Sequence, residues 1–416
     1  MAAPSTAAGA PAPVHIGWYS NHLCERGSEI ALFDYAHYAE RLYGARSFIL
    51  YDANSPDNVA CAITRFEDRF GARVIALGKA SGAAMPEIAP ALESRGILHC
   101  YIIKYGHPDE PSLRWFGRRV RTFVHAVFDA TMPHGDIYAR ISSCVPCQSS
   151  EGLGQRASRV PVVPHLVRPF EAVGPDLRAE LGIPTDATVF GRHGGFDTFD
   201  IPAARAAVLS VARRRRDIFF LLLNTKPLTA HDASPRAGPQ SQHQRMPPNI
   251  RYLEATMDEA RKAAFIRTCD AMLHARLTGE TFGLAVAEFS VANRPVITSR
   301  IHHENGMASF HLQTLGSRGL FYHDQASCEQ QLLSFDRRAA QKKDWNAYRA
   351  FEPPRVMAAL WRLLVLRKAP EDTFGASEGP RTVSQHTHAP PPQADSALGY
   401  VNMMRDAMSS PISHSR

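Results

Sequence analysis

Two glutamates separated by seven residues are the side chains best suited to chemistry in this chain: Glu280 and Glu288, in Gly279-Glu280-Thr281-Phe282-Gly283-Leu284-Ala285-Val286-Ala287-Glu288. Leu284, Ala287, Glu288 and Val291 recur at helical spacing and mark one face. Glu288 therefore sits on the stripe that such a helix buries. A buried carboxylate is costly unless something hydrogen-bonds or pairs it. Either a lysine or arginine of the protein does so, or the hydroxyls of a bound ribose or sugar ring. Glu280 stands just before the helix, beside free N–H groups and the positive dipole end, a natural seat for phosphate. It is either a first-turn acid favouring that dipole or a ligand group. Carboxylates for hydroxyls and a helix start for phosphate describe a nucleotide-sugar pocket.

The elements that must position these residues alternate. Val14 to Tyr19, Ser47 to Tyr51, Arg73 to Leu77, Leu98 to Ile103 and Arg121 to Val127 read as strands. Ser28 to Leu42, with Ser28 as N-cap, Val59 to Phe70 and Ile88 to Ser94 read as helices between them. This order predicts an α/β fold with a parallel sheet covered on both faces, binding ligands beyond the carboxyl ends of its strands. A second series follows. Leu177 to Leu181 reads as a short helix, and Thr188 to Gly191 and Ile218 to Leu223 as strands. Asn249 to Leu253 is a strand and Met257 to Arg267 a helix. Cys269 to Leu273 leads as a strand to the glutamates, and Arg294 to Thr298 follows as another. Leu320 to Tyr322 is a last strand. Ala326 to Phe335, Ala340 to Ala350 and Pro354 to Leu366 are helical.

The glutamate stretch resembles the E-x7-E signature of retaining glycosyltransferases of the GT-B fold, the group called family 4 or "group 1". The resemblance covers about residues 14 to 366 and implies two Rossmann-like domains facing a cleft. It divides the chain into a disordered leader (1–13), an acceptor-side domain (14–166) and a nucleotide-sugar domain (167–352) with a flexible insertion (229–248). A terminal helix (353–366) crosses back onto the first domain, and a disordered tail (367–416) follows. Val160 to Val167 resembles the family's crossing segment.

The resemblance also implies roles. Glu288 holds ribose hydroxyls. Glu280 holds sugar hydroxyls and favours positive charge at the anomeric carbon. Phe282, Gly283 and Leu284 form the helix start that faces the diphosphate. Gly27 and Ser28, in Arg26-Gly27-Ser28-Glu29, match the family's glycine loop, with Arg26 where one glycine is usual. Arg192, in Gly191-Arg192, matches the arginine that meets the diphosphate. The lysine usual about six residues later is Thr198 here, and Lys226, after the strand Ile218 to Leu223, is the candidate replacement. His125 is the candidate for the family's catalytic histidine, although Phe128 occupies the usual slot. His125 either touches the donor sugar or is a satisfied core histidine, and His134 is a weaker candidate for the same role.

Bulk properties bound the rest. With 416 residues, a net charge of +7 and a pI near 9.1, the chain has room for two domains and suits anionic partners. Those are nucleotide phosphates, an anionic membrane surface touched peripherally, or, remotely, nucleic acid. No apolar run reaches the length of a membrane span, and residues 1 to 13 lack a signal-peptide pattern, so a cytoplasmic protein is expected. The seven scattered cysteines suit a reducing compartment. Cys144-Val-Pro-Cys147 has no second pair nearby to complete a zinc site. His302, His303, Glu304 and Asn305 lie in a polar loop, but no D-x-D motif accompanies them. The expectation is therefore a metal-independent hexosyltransferase with no cofactor beyond its donor substrate and an unknown glycan, lipid or protein acceptor. A non-catalytic nucleotide-sugar or glycan binder of the same fold, a GT-B sugar-nucleotide epimerase and a basic nucleic-acid binder remain as alternatives.

Overall fold

The structure is a computed structural model describing residues 12–78, 88–108, 113–147, 160–170, 174–229, 232, 246–300, 308–368 and 374. The loop carrying His302, His303, Glu304 and Asn305 lies outside the described residues, as do most of the 229–248 insertion, most of the leader and nearly all of the tail.

Two six-stranded sheets form the chain's framework, and every recorded strand pair is parallel. The first contains β1 (His15–Ser20), β2 (Arg46–Asp52), β3 (Val74–Leu77), β4 (His99–Lys104), β5 (Arg121–Ala126) and β6 (Ile137–Arg140). Its order is β3-β2-β1-β4-β5-β6. The second contains β7 (Thr188–Arg192), β8 (Ile218–Leu223), β9 (Ile250–Leu253), β10 (Ala271–Leu273), β11 (Val296–Ser299) and β12 (Gly319–Tyr322). Its order, β12-β11-β10-β7-β8-β9, is the same winding repeated. Strand order reverses between β1 and β4 in one sheet and between β7 and β10 in the other. A doubly wound sheet opens its ligand crevice at that reversal. Gly27 follows β1, Arg192 ends β7, and the Glu280 loop follows β10, so the fold brings all of them to switch points.

β8 is apolar and buried at all six positions, as a parallel strand flanked on both sides requires. The helices are α1 (Gly27–Tyr43), α2 (Ala60–Phe70), α3 (Ile88–Glu93), α4 (Pro202–Arg214), α5 (Glu259–Thr268), α6 (Leu284–Val291), α7 (Phe310–Leu315), α8 (Gln325–Leu333), α9 (Arg337–Ala340) and α10 (Pro353–Leu364). The amphipathic α10 returns to the first lobe. There Trp361 stacks on Tyr43 of α1 with ring centroids 4.3 Å apart.

β6 is a strand the sequence reading did not place; just before it the Asp136 carboxylate accepts from Thr122 N at 2.8 Å and Thr122 Oγ1 at 2.9 Å. Three expectations are corrected. Leu177 to Leu181 is a turn. The Arg178 guanidinium reaches across it to the carbonyls of Pro184 (3.0 Å) and Ala187 (2.9 Å). Past Ala340 no α-helix continues to Ala350, because Trp345 spends its backbone on Asn293 Oδ1 (2.8 Å) and Ser290 Oγ (2.8 Å). Ser28 is not the N-cap of α1. Arg26 holds that position with no side-chain bond, and the Ser28 hydroxyl donates to Glu29 at 2.9 Å.

Candidate active site

The site begins with a pinned loop. Glu280 N donates to Ala308 O at 2.6 Å, and Phe310 N donates to Glu280 O at 3.2 Å. Gly283 then caps α6 in the left-handed region, at φ 83° and ψ 63°. Any side chain would be strained there, and its Cβ would meet Glu280 Cβ and Cγ at 3.2 Å. Phe282 is buried and packs against His165, Phe310, Tyr348 and Phe351, while its carbonyl accepts from Tyr348 Oη at 3.0 Å. The loop is therefore wedged into an apolar seam that both lobes share, with Phe282 as anchor.

Glu280 is held by two side chains from its own neighbourhood. Arg276 Nη1 donates to Oε2 at 2.8 Å, and His274 Nε2 lies 3.2 Å from Oε1. His274 is itself fixed through Nδ1 to Thr298 Oγ1 at 2.8 Å. Burial pushes the Glu280 carboxyl up, but Arg276, His274 and His311 outweigh it and hold the pKa at about 2. A permanent negative charge is thus fixed at the end of β10.

Glu288 has protein partners as well. Lys262 Nζ of α5 lies 2.5 Å from Oε1, and His193 Nε2, just past β7, lies 3.1 Å from Oε2. Burial again raises this carboxyl, and Lys262 and His193 bring it down to about 2. Of the two partners expected for a buried acid on this face, the structure shows the protein's own: a lysine satisfies it. The acid is nevertheless at the lobe junction. Glu259, one turn before Lys262, pairs with Arg65 of α2 at 2.5 Å and with Arg168 of the connecting segment. Arg168 in turn pairs with Asp34 of α1 at 3.0 Å. Beside this network a cavity of about 700 Å³ opens between α1, α2 and the start of α5, lined by Phe33, His37, Arg65, Arg168, Met257 and Glu259 among others.

Arg192 is turned inward. Its Nη1 donates to Asn224 O and Thr225 Oγ1, each at 2.7 Å, and its Nη2 to Gly195 O at 2.6 Å and Thr198 Oγ1 at 2.7 Å. Burial lowers its pKa to about 10, still fully cationic at neutral pH. Lys226 is 64% exposed, 3.8 Å from Asp197. Gly27 opens α1 opposite Leu284, the first residue of α6. A Cβ on Gly27 would lie 3.4 Å from Leu284 Cδ1, so two helix starts from different lobes face each other at contact distance.

His125 is placed in the core and not after the strand. It is wholly buried within β5, with Nδ1 2.7 Å from Tyr101 Oη and Nε2 2.8 Å from Val163 O. Both ring nitrogens are occupied, and burial drives its pKa down to about 4. This is the satisfied core histidine. His134 Nδ1 meets Met132 O at 2.7 Å. Cys144 lies 3.8 Å from Ser309 across the lobes.

Sequence reasoning missed His193, Lys262, His274 and Arg276. The signal for His274 was its place at the end of a strand six residues before Glu280, where switch-point ligands gather. It also missed Glu29, buried beneath the glycine loop. Its carboxylate accepts from Ser20 Oγ (2.9 Å), Ser28 Oγ (2.9 Å) and Cys24 Sγ (3.3 Å). His22, Cys24 and Glu29 place donor atoms within 4.8 Å of one another. Three donors already bond the carboxylate, and burial pushes the Cys24 thiol far up, so the cluster reads as a hydrogen-bonded closure of this loop.

No family model and no curated protein sequence matches the chain. Solved structures do match in fold. Anabaena HepE in complex with UDP aligns at 14% identity over 85% of this chain and 99% of its own, with a TM-score of 0.59. A glycosyltransferase from Rickettsia africae aligns at 13% identity over 85% and 98%, with a TM-score of 0.59. Sucrose-phosphate synthase from Thermosynechococcus elongatus aligns at 14% identity over 85% and 97%, with a TM-score of 0.52. The chain has the two-lobed GT-B fold. Among the described residues no helix is long and apolar enough to cross a membrane.

Proposed function

We propose that the protein is a glycosyltransferase that moves a hexosyl group from a UDP- or GDP-linked sugar to an acceptor, with retention and without a metal. One observation carries the reading: two ionised carboxylates, Glu280 and Glu288, sit at the switch point of the second sheet, where α6 starts opposite Gly27. The likeness in fold to glycosyltransferase structures, one of them holding UDP, supports it. Fold alone does not set chemistry, so the residues must bear the argument.

In this reading the donor lies along the second lobe. Ribose hydroxyls bind Glu288. Sugar hydroxyls bind Glu280, whose fixed charge favours positive charge developing at the anomeric carbon. Pre-organised charge of this kind needs no reorientation during the reaction. The departing diphosphate sits beside the starts of α1 and α6, whose first N–H groups have no intrahelical partner. Arg192 braces the loop around it, and Lys226 at the rim adds a solvent-exposed cation. Closure of the lobes limits hydrolysis by excluding water.

A second reading keeps the pocket and drops the transfer: a nucleotide-sugar binder. The threonine at position 198 and the inward Arg192 favour it, because both weaken the leaving-group clamp. Release of free nucleoside diphosphate from UDP- and GDP-sugars, with a panel of glycan and lipid acceptors, separates the two. The transferase releases it in step with acceptor, whereas the binder releases none.

A further inference from the structure

The geometry points to Lys262 as the cation that meets the donor's diphosphate, exchanging Glu288 for phosphate when the nucleotide enters. This inference rests on the nucleotide-sugar reading above and assigns the phosphate role to a different residue.

The other cations near the site are poorly placed for it. A guanidinium has four terminal N–H bonds, and Arg192 directs all four at protein oxygens: Asn224 O, Thr225 Oγ1, Gly195 O and Thr198 Oγ1. Recruiting it would break bonds that hold two loops together. Lys226 stands in solvent with its side chain 64% exposed, where a lone ion pair is worth little. Arg276 is committed to Glu280 at 2.8 Å.

Lys262 is likewise paired to a carboxylate, but through one ammonium on a flexible stem that can change partner. Its side chain is only 15% exposed, and its Nζ sits between Glu288 Oε1 at 2.5 Å and the Phe170 ring centroid at 5.5 Å. An ammonium in such a place needs an anion at all times. Ribose hydroxyls that donate to Glu288 compete for the oxygen that Lys262 occupies. Once displaced, Nζ needs a new anion within reach of its flexible stem. The ligand brings one, since the diphosphate is attached to the ribose that displaced it. Glu288 keeps the His193 ring 3.1 Å from its other oxygen and gains the ribose hydroxyls as donors. The exchange swaps partners without leaving a buried charge alone. It also gives a reason for the threonine at position 198, because the phosphate cation comes from α5.

The test is a ligand series on the full chain: uridine, UMP and UDP, with guanosine, GMP and GDP in parallel, titrated calorimetrically. The proteins are wild type, Lys262→Arg, Lys262→Met, Glu288→Gln and the double variant Lys262→Met/Glu288→Gln. The double variant guards against misfolding, because it removes the buried pair together. Wild type is expected to bind the diphosphate more tightly than the nucleoside. Lys262→Met is expected to shrink that ratio roughly tenfold, the scale of one charge-assisted hydrogen bond. Lys262→Arg keeps most of it. Glu288→Gln keeps the ratio while weakening every ligand, and the double variant loses the ratio. Equal diphosphate-to-nucleoside ratios in Glu288→Gln and the double variant overturn this inference alone. Binding of neither series to wild type overturns the functional reading, and this inference with it.

Discussion

Arg192 Nη2 lies 2.7 Å from Thr198 Oγ1. The hydroxyl in turn donates to Gly195 O at 2.9 Å, closing a small ring within the loop that follows β7. The guanidinium that the resemblance assigns to phosphate is thereby held in the protein by the residue standing where a lysine is usual. Thr198→Val keeps the volume and removes the acceptor from a buried cation. It is expected to cost about 1.5–3 kcal/mol of unfolding free energy in a urea titration. A loss within experimental error would mean the contact does not organise the loop.

Glu280 is charged and pinned on both oxygens, so in the proposed transfer it acts electrostatically. Glu280→Gln preserves shape and hydrogen-bonding capacity while removing the charge. Turnover with the cognate donor and acceptor is expected to fall about 100- to 1000-fold, with a far smaller change in donor affinity. Equal losses in kcat and donor binding would instead make Glu280 a binding group only.

Acid should weaken the fold in two windows. Burial lowers His125 to about 4 and His165 to about 3, below the ordinary 6.5. Folded values below the unfolded one mean that stability is full above pH 6.5 and is lost as pH falls toward those values. Burial raises Glu280 and Glu288, but Arg276 beside one, Lys262 beside the other and the histidines hydrogen-bonded to each bring both to about 2, below the ordinary 4.5. Their contribution is full above pH 4.5 and is lost as pH falls toward 2. Unfolding free energy is therefore expected to decline from about pH 6.5 and more steeply below 4.5, each group adding at most about 1.4 kcal/mol per pH unit. His125→Gln should flatten part of the upper limb and leave the lower one. Constant stability between pH 7 and 5 in the wild type would contradict this.

The legibility of the chain follows a physical division. Strands that a sheet buries on both faces announce themselves as continuous apolar runs, and Ile218–Leu223 is read without error. Both glutamates are visible because a carboxylate on an apolar stripe is anomalous by itself. Their partners are not, because Lys262 and His193 reach Glu288 from 26 and 95 positions away, and only the fold brings them together. Local pattern also fails where tertiary bonds outbid it. Past Ala340 the sequence favours a helix, but Ser290 and Asn293 claim the Trp345 backbone. His125 illustrates the converse. Its residue type suggested chemistry, whereas Tyr101 and the Val163 carbonyl make it a core member.

A small ionic network joins the lobes. Glu259 bridges Arg65 of α2 and Arg168, which also holds Asp34 of α1. Glu259→Ala removes the acceptor common to both arginines while leaving each lobe's sheet intact. The radius of gyration measured by solution X-ray scattering is expected to increase as the lobes part, and donor affinity to fall. An unchanged scattering profile would place the closing force in the apolar seam around Phe282 and Phe351.

The most direct test is thermal denaturation of wild type and Glu288→Gln with UDP- and GDP-linked sugars. The account predicts that at least one nucleotide sugar raises the wild-type Tm, and that Glu288→Gln, folded without ligand, shows no such rise. Equal stabilisation of both proteins, or no response from either to any donor, would contradict it.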